Sequence, residues 1–103
     1  MEQTSHRIRV QTPKGLPRQA LVKYLDNCLR ALPALKDAIQ RADCEFIRVY
    51  GHGMKGCGAP YGFPKLTEIG AALERCAKAR DVESIQRYAT ELGNYLEAVE
   101  LEA

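Results

Sequence analysis

Apolar side chains recur every three or four residues along most of the chain, the spacing that places them on one face of an α-helix. The pattern starts near Leu16 and is clear in three stretches. Their apolar positions are Leu21, Leu25, Cys28, Leu29, Leu32, Leu35 and Ile39 in the first, Leu66, Ile69, Leu73, Cys76 and Ala77 in the second, and Ile85, Tyr88, Ala89, Leu92, Tyr95, Leu96 and Val99 in the third. The sequence therefore predicts three amphipathic helices.

Proline, glycine and aspartate residues mark the ends of these helices. Pro17 and Pro64 suit the first turn of a helix, where no partner is needed for the missing N–H. Asp43 and Asp81 are good N-caps, because their carboxylates can accept hydrogen bonds from free N–H groups of the following turn. Gly62 supplies a break before Pro64. These positions predict short connections between the helices.

The helical pattern is interrupted in two places. Pro33 lies inside the first stretch, and it should kink or split that helix because proline lacks an N–H and clashes with the preceding turn. Residues 1–15 form an extended lead-in, whose RIRV run has the composition of a strand before Pro13 and Gly15 end it. His6 lies in this lead-in, and we assign it no function.

Residues 44–59 fit two patterns. FIRVY followed by a G-x-G-x-x-G run at residues 51–56 has the order of strand and glycine loop that binds dinucleotides. That motif also needs a second strand ending in an acidic residue, which holds the ribose. The acidic candidates, Glu68 and Glu74, lie inside a helical pattern, and no later run is typical of a strand. The sequence therefore favours a fourth helix.

Four helices with short connections predict an all-α fold, an antiparallel up-and-down four-helix bundle with a short extended N-terminal lead-in. A chain of 103 residues suits one domain. We expect residues 1–103 to form it, with the bundle over residues 16–100.

Composition limits the classes of partner. A net charge of +2 without a basic stripe does not indicate nucleic acid, no apolar run approaches the ~20 residues of a membrane span, and the N-terminus lacks a signal peptide's apolar centre. We therefore expect a cytoplasmic protein, by default a monomer, that binds neither nucleic acid nor membrane. The cysteines have no zinc-type spacing, so we expect small buried hydrophobic residues and no metal site; they are Cys28, Cys44, Cys57 and Cys76.

Taken as a helix, residues 44–59 place His52 in solvent. At 100° per residue, His52 falls about 150° from the centre of the apolar side. That side comprises Phe46, Ile47, Tyr50, Gly53, Met54 and Cys57. The helix-surface neighbours of His52 are two cations and two small residues, namely Arg48, Lys55, Gly56 and Ala59. The sequence thus predicts a protruding imidazole flanked by positive charge.

The same segment contains glycines at positions 51, 53, 56 and 58. Each costs roughly 1 kcal/mol relative to alanine inside a helix, so a structural or functional reason is expected. We expect Gly53 to face the core and permit close helix packing. We expect Gly56 to clear space beside His52 for an approaching partner.

The residues around His52 resemble the histidine-containing phosphotransfer (HPt) domain. The family motif H-x-x-K-G, with a further glycine ten positions after the histidine, is present as His52-Gly53-Met54-Lys55-Gly56 with Gly62. The following stretch, YGFPKLTEIGAALERCAKARD, is similar to the family's next helix and its turn into the last one.

This resemblance implies a phosphorelay intermediate without kinase activity of its own. His52 would accept a phosphoryl group, through Nε2, from an aspartyl phosphate on a receiver domain and pass it to another receiver. Lys55 would bind the phosphate oxygens, and its helical position suggests that Arg48 could assist. Magnesium would be supplied by the receiver, so no cofactor is expected on this chain.

Helical proximity predicts the surface that docks the receiver. It comprises Gly56, Ala59, Tyr61 and Phe63, with Leu66 beside them. Tyr61 and Phe63 could equally close the end of the core. The alternative function is a non-catalytic helical binding module, which docks a receiver or another partner without phosphate exchange. The sequence names neither the donor kinase nor the recipient regulator.

Overall fold

A computed structural model describes residues 8–10 and 13–101, which form four α-helices joined by short connections. The helices are α1 (Arg18–Gln40), α2 (Cys44–Cys57), α3 (Pro64–Lys78) and α4 (Val82–Ala98), with a 3₁₀ turn at Ala59–Tyr61. The predicted helical bundle is confirmed, including the fourth helix in place of a nucleotide-binding strand and loop. The antiparallel up-and-down order stays a prediction. His6 lies outside the described residues.

Two short strands extend the helical fold. The strand β1 (Ile8–Val10) lies within the RIRV run, and β2 (Val99–Leu101) follows α4 directly. They pair in parallel, with Ile8 opposite Val99. The last helix is therefore shorter than predicted, since Val99 belongs to the strand. A parallel partner for the lead-in was not predicted.

Most of the predicted helix ends are confirmed by hydrogen bonds and backbone angles, but Pro17 lies just before α1 as its N-cap and not in its first turn. The Asp43 carboxylate accepts from the Phe46 N–H at 3.1 Å, and the Asp81 carboxylate accepts from the Ser84 N–H at 3.2 Å. Pro64 is the first residue of α3. Gly62 has φ +91°, in the left-handed region that favours glycine.

Pro33 does not split the first helix, so that alternative was wrong. α1 continues through Pro33 over its whole length. Proline deprives the carbonyl four residues earlier, that of Leu29, of its helical donor. Both Pro33 and Leu29 are exposed, so water can satisfy that carbonyl and the helix can continue.

The core receives side chains from all four helices. Its largest fully buried members are Leu21, Leu35, Ile47, Phe63, Leu66, Ile69, Leu73, Ile85 and Leu92. The predicted stripe of α3 is buried throughout. Three cysteines are buried as expected, but Cys57 is exposed, which corrects that prediction. Within residues 8–10 and 13–101, no helix has both the length and the apolar character that crossing a membrane requires.

The prediction that Gly53 faces the core was wrong. Gly53 is exposed, and a Cβ built on it meets no atom within 4 Å. The buried positions of α2 are Cys44, Ile47, Gly51 and Met54. Gly51 rather than Gly53 makes the close approach to α3. The sequence interpretation placed the centre of the apolar side of α2 too close to Phe46 and Cys57, which are both exposed in the structure.

Candidate functional site

His52 lies in the second half of α2 with its side chain 65% exposed, which confirms the predicted exposure of the imidazole. Its Nδ1 lies 3.0 Å from Oε2 of Glu74 on α3. An ionised carboxylate can only accept hydrogen bonds, so Nδ1 carries the ring proton and donates it. In the neutral form of the ring, the free lone pair is then on Nε2. The ring is accessible, and Nε2 is the nitrogen that this contact leaves unengaged.

Among the residues that the structure describes, Glu74 is the charged residue that lies in the core, and its side chain is only 9% exposed. Lys55 Nζ lies 2.8 Å from its Oε1, and Lys78 Nζ lies 3.7 Å from its Oε2. The hydrogen bond from Lys55, followed by that from His52 and the charges of both lysines, lowers the pKa of Glu74 to about 2 although burial opposes this. The carboxylate is therefore ionised at neutral pH.

A glycine contact between α2 and α3 brings Glu74 to His52. A Cβ built on Gly51 would lie 2.6 Å from the carbonyl oxygen of Gly70, and one on Gly70 would lie 2.5 Å from the N of Lys55. The two backbones therefore touch at the turn that carries His52. Glu74 follows Gly70 by one helical turn, so it lies on the same face of α3 and reaches the imidazole.

Thr67 fixes the end of α2 that carries Lys55. Its hydroxyl accepts from the N–H of Ala59 at 2.7 Å and donates to the carbonyl of Lys55 at 3.1 Å. A Cβ on Gly58 would lie 2.6 Å from the N of Thr67, so this contact also needs a glycine. The last turn of α2 is thus held against the start of α3.

The guanidinium of Arg48 is engaged by Glu45 on the same helix. Its Nε and one terminal nitrogen lie 3.0 Å and 2.6 Å from the two carboxylate oxygens. This pairing raises the pKa of Arg48 and lowers that of Glu45. The structure therefore brings Lys55 to His52 through Glu74 but directs Arg48 to Glu45, and a phosphate-binding role for Arg48 stays a prediction.

The predicted docking residues divide into exposed and buried ones. Gly56 and Ala59 are exposed, and a Cβ on Gly56 meets no atom within 4 Å. Tyr61 is half-buried and stacks on Tyr24, with ring centroids 4.5 Å apart. Phe63 is fully buried, so placing it on the docking surface was wrong. It closes the end of the core, because the left-handed turn at Gly62 directs the chain inward before α3.

Leu66 is buried like Phe63, so its place beside the docking surface was wrong as well. The sequence interpretation also missed an exposed apolar residue, Val49, which is 54% exposed and lies one turn before His52 on α2. The spacing of three residues between Val49 and His52 was the available signal.

Glu74 and Lys78 are the site residues that the sequence interpretation missed. Glu74 follows His52 by 22 residues, and its neighbours on α3 are buried. A charged residue at a buried helical position indicates a polar partner, because an unpaired charge there is costly. Lys78 follows one turn later, at the spacing of an ion pair on a helix surface. Only this local signal was available, since the contact with His52 is between two helices.

The arrangement combines an accessible imidazole, a buried carboxylate that contacts its Nδ1 and two lysines beside that carboxylate. Such a site can accept an anionic group on nitrogen and stabilise it with positive charge. Among the residues that the structure describes, no group of three or more histidine, cysteine, aspartate or glutamate side chains could hold a metal ion.

Comparison with known proteins identifies the family. The family model for the Hpt domain matches residues 19–102, which is most of the chain. No curated protein and no solved structure matches the chain. The match covers all four helices, and the chain therefore belongs to the Hpt domain family, which carries out phosphotransfer in two-component signalling.

Proposed function

We propose that the chain is a phosphorelay intermediate, which accepts a phosphoryl group on Nε2 of His52 from a receiver-domain aspartyl phosphate and passes it to another receiver. The observation that carries this proposal is the 3.0 Å contact between Nδ1 of the exposed His52 and the buried Glu74. In the neutral imidazole this contact keeps the proton on Nδ1, so the lone pair on Nε2 is available for attack.

In the transfer step, Nε2 attacks phosphorus in line with the bond to the aspartate oxygen. The P–N bond forms as the P–O bond breaks, and the electron pair of that bond leaves with the aspartate carboxylate. The proton on Nδ1 stays in place, so the imidazole ring becomes positively charged. The Glu74 carboxylate already faces this nitrogen and stabilises the developing charge without rearrangement.

Lys55 is positioned to bind the transferred group. Its side chain is 43% exposed and its Nζ contacts Glu74, which in turn contacts His52. An ammonium at this place can donate hydrogen bonds to phosphoryl oxygens before and after transfer. Arg48 is a weaker candidate for the same role, because it would first have to leave Glu45.

The partners follow from the family and from the exposed surface. We infer that receiver domains of response regulators or hybrid kinases dock on the surface formed by Val49, His52, Gly56 and Ala59, and that their magnesium ion serves the transfer. We also infer an antiparallel bundle, a monomer and a cytoplasmic location. The short connections between successive helices support the antiparallel order.

The proposed function is tested by incubating the full chain with a phosphorylated receiver. The wild-type chain should acquire an acid-labile phosphoryl group, and His52→Gln should acquire none because glutamine has no nucleophilic ring nitrogen. His6→Gln is the matched control, since it changes the other histidine and should be labelled normally. Label on His52→Gln would refute the site. Binding of the receiver without any label on the wild-type chain would favour the non-catalytic binding module instead.

A further inference from the structure

The charges around His52 do not cancel. Lys55 pairs with Glu74, and Arg48 pairs with Glu45, so each of these pairs is neutral as a unit. Lys78 also lies against Glu74, at 3.7 Å. Two ammonium groups therefore share one carboxylate. The single negative charge of Glu74 balances Lys55, so the positive charge of Lys78 is left over.

Lys78 reaches the imidazole site from α3, whereas Lys55 reaches it from α2. The oxygen of Glu74 nearest to Lys78 is Oε2, the same oxygen that accepts from Nδ1 of His52. Lys78 is 62% exposed, and a lysine stem is flexible enough to move its ammonium by several ångströms. Its contact with Glu74 is longer and more exposed than that of Lys55, and is therefore the easier one to exchange.

We propose that Lys78 is a second phosphate-binding residue, whose ammonium moves from Glu74 to the phosphoryl oxygens when His52 is phosphorylated. This inference rests on the proposed phosphotransfer function. A phosphoryl group carries nearly two negative charges and three acceptor oxygens, whereas the Glu74 carboxylate carries one charge and still keeps its hydrogen bond from His52. The exchange thus brings a second cation to the phosphoryl group, from the helix opposite Lys55.

The experiment measures labelling of His52 by phosphoramidate, a small phosphodonor that requires no docking surface. Lys78→Ala should slow labelling about three- to tenfold, the size expected between an exposed ion pair and a charged hydrogen bond. Lys78→Arg should recover most of the rate, and Lys78→Gln, which keeps the stem without the charge, should not. Lys65→Ala is the matched control, because Lys65 is a lysine on the same helix with a surface partner, Glu91 at 3.8 Å.

A second readout separates phosphate binding from a purely structural role. In the phosphorylated chain, the pH midpoint of the phosphorus NMR shift reports the second ionisation of the phosphoryl group. Loss of a cation beside that group should raise the midpoint by about half a unit to one unit in Lys78→Ala, in step with the rate change. Lys65→Ala should leave it unchanged. Circular dichroism melting of all four variants verifies that the bundle is folded.

The possible failures are distinguishable. If neither the wild-type chain nor any variant is labelled by phosphoramidate or by a phosphorylated receiver, the proposed function fails. If the wild-type chain is labelled and Lys78→Ala matches Lys65→Ala in rate and midpoint, phosphotransfer stands and the role of Lys78 is overturned. A slower rate with an unchanged midpoint also overturns it, because Lys78 would then act without meeting the phosphoryl group.

Discussion

The inner face of α2 holds Gly51 against the backbone of α3, whereas its outer face carries Gly53 and Gly56 with open space beyond their Cα atoms. All three glycines weaken the helix by a similar amount. On the inner face the missing side chain lets two helices touch, and this contact places Glu74 at His52. On the outer face it leaves room for another molecule. The same residue type therefore permits assembly of the site on one side of α2 and leaves open space on the other.

The largest effect is expected from filling the inner contact. A Cβ in Gly51→Ala would lie 2.6 Å from the Gly70 carbonyl and 2.7 Å from the N of Glu74, so the two backbones must separate. Overpacking of this kind costs about 1–3 kcal/mol. The shift should also lengthen the contact between His52 and Glu74 and slow phosphorylation. Urea unfolding and labelling by phosphoramidate measure the two consequences.

Gly53→Ala is the matched control for Gly51→Ala. It makes the same substitution two residues along the same helix, where an added Cβ meets nothing. Its unfolding free energy should rise by up to about 1 kcal/mol, because alanine is the better helix former. Equal destabilisation by both substitutions would show that helix propensity, and not the contact with α3, governs these positions.

The sequence predicts the four helices and the N-caps at Asp43 and Asp81, because these depend on local spacing and local hydrogen bonds. It also predicts the exposure of His52. A polar residue far from the apolar side is still predicted to be exposed when the centre of that side is placed slightly wrong. Local sequence does not determine whether Gly51 or Gly53 faces α3. Glycine has little hydropathy, so only the packing of α3 shows which of them is covered.

The same limit explains the other differences between sequence and structure. Glu74 meets His52 from another helix, and β1 pairs with the chain's far end, so no periodic pattern within one segment reports either contact. Phe63 follows Gly62, whose left-handed backbone sets the direction of the next residue. Proximity along the sequence placed Phe63 on the surface, but the turn buries it.

The second-largest effect should come from filling the open space on the outer face of α2. Gly56→Phe introduces a bulky side chain one turn after His52, where the structure leaves space for it. The bundle should remain folded, and transfer from a phosphorylated receiver should fall at least about tenfold, the loss expected from one poorly accommodated docking residue. Labelling by phosphoramidate should be almost unchanged. The ratio of the two rates is the measurement, and normal transfer from the receiver would show that Gly56 is not approached by the partner.

The smallest effect concerns two carboxylates, Glu74 on the inner side and Glu45 on the outer side. The pKa of Glu74 falls from an ordinary value of 4.5 to about 2, mainly through its hydrogen bond from Lys55. Because the folded pKa is the lower one, the unfolded chain binds more protons between these values, and the stability that Glu74 contributes is present above pH 4.5 and lost as the pH falls toward 2.

Substitution of Glu74 tests this dependence of stability on pH. The unfolding free energy of the wild-type chain should decline between pH 5 and pH 2.5, and the decline should be shallower in Glu74→Gln, which has no carboxylate to protonate. Glu45→Gln should change the slope less, because the pair of Glu45 and Arg48 is exposed and screened by solvent. Urea titrations at several pH values measure the three slopes. Equal slopes for the two variants would mean that burial beneath His52 gives Glu74 no larger pKa shift than a surface carboxylate has. Glu74 would then not be the preorganised acceptor of the hydrogen bond from Nδ1 that the proposed mechanism needs.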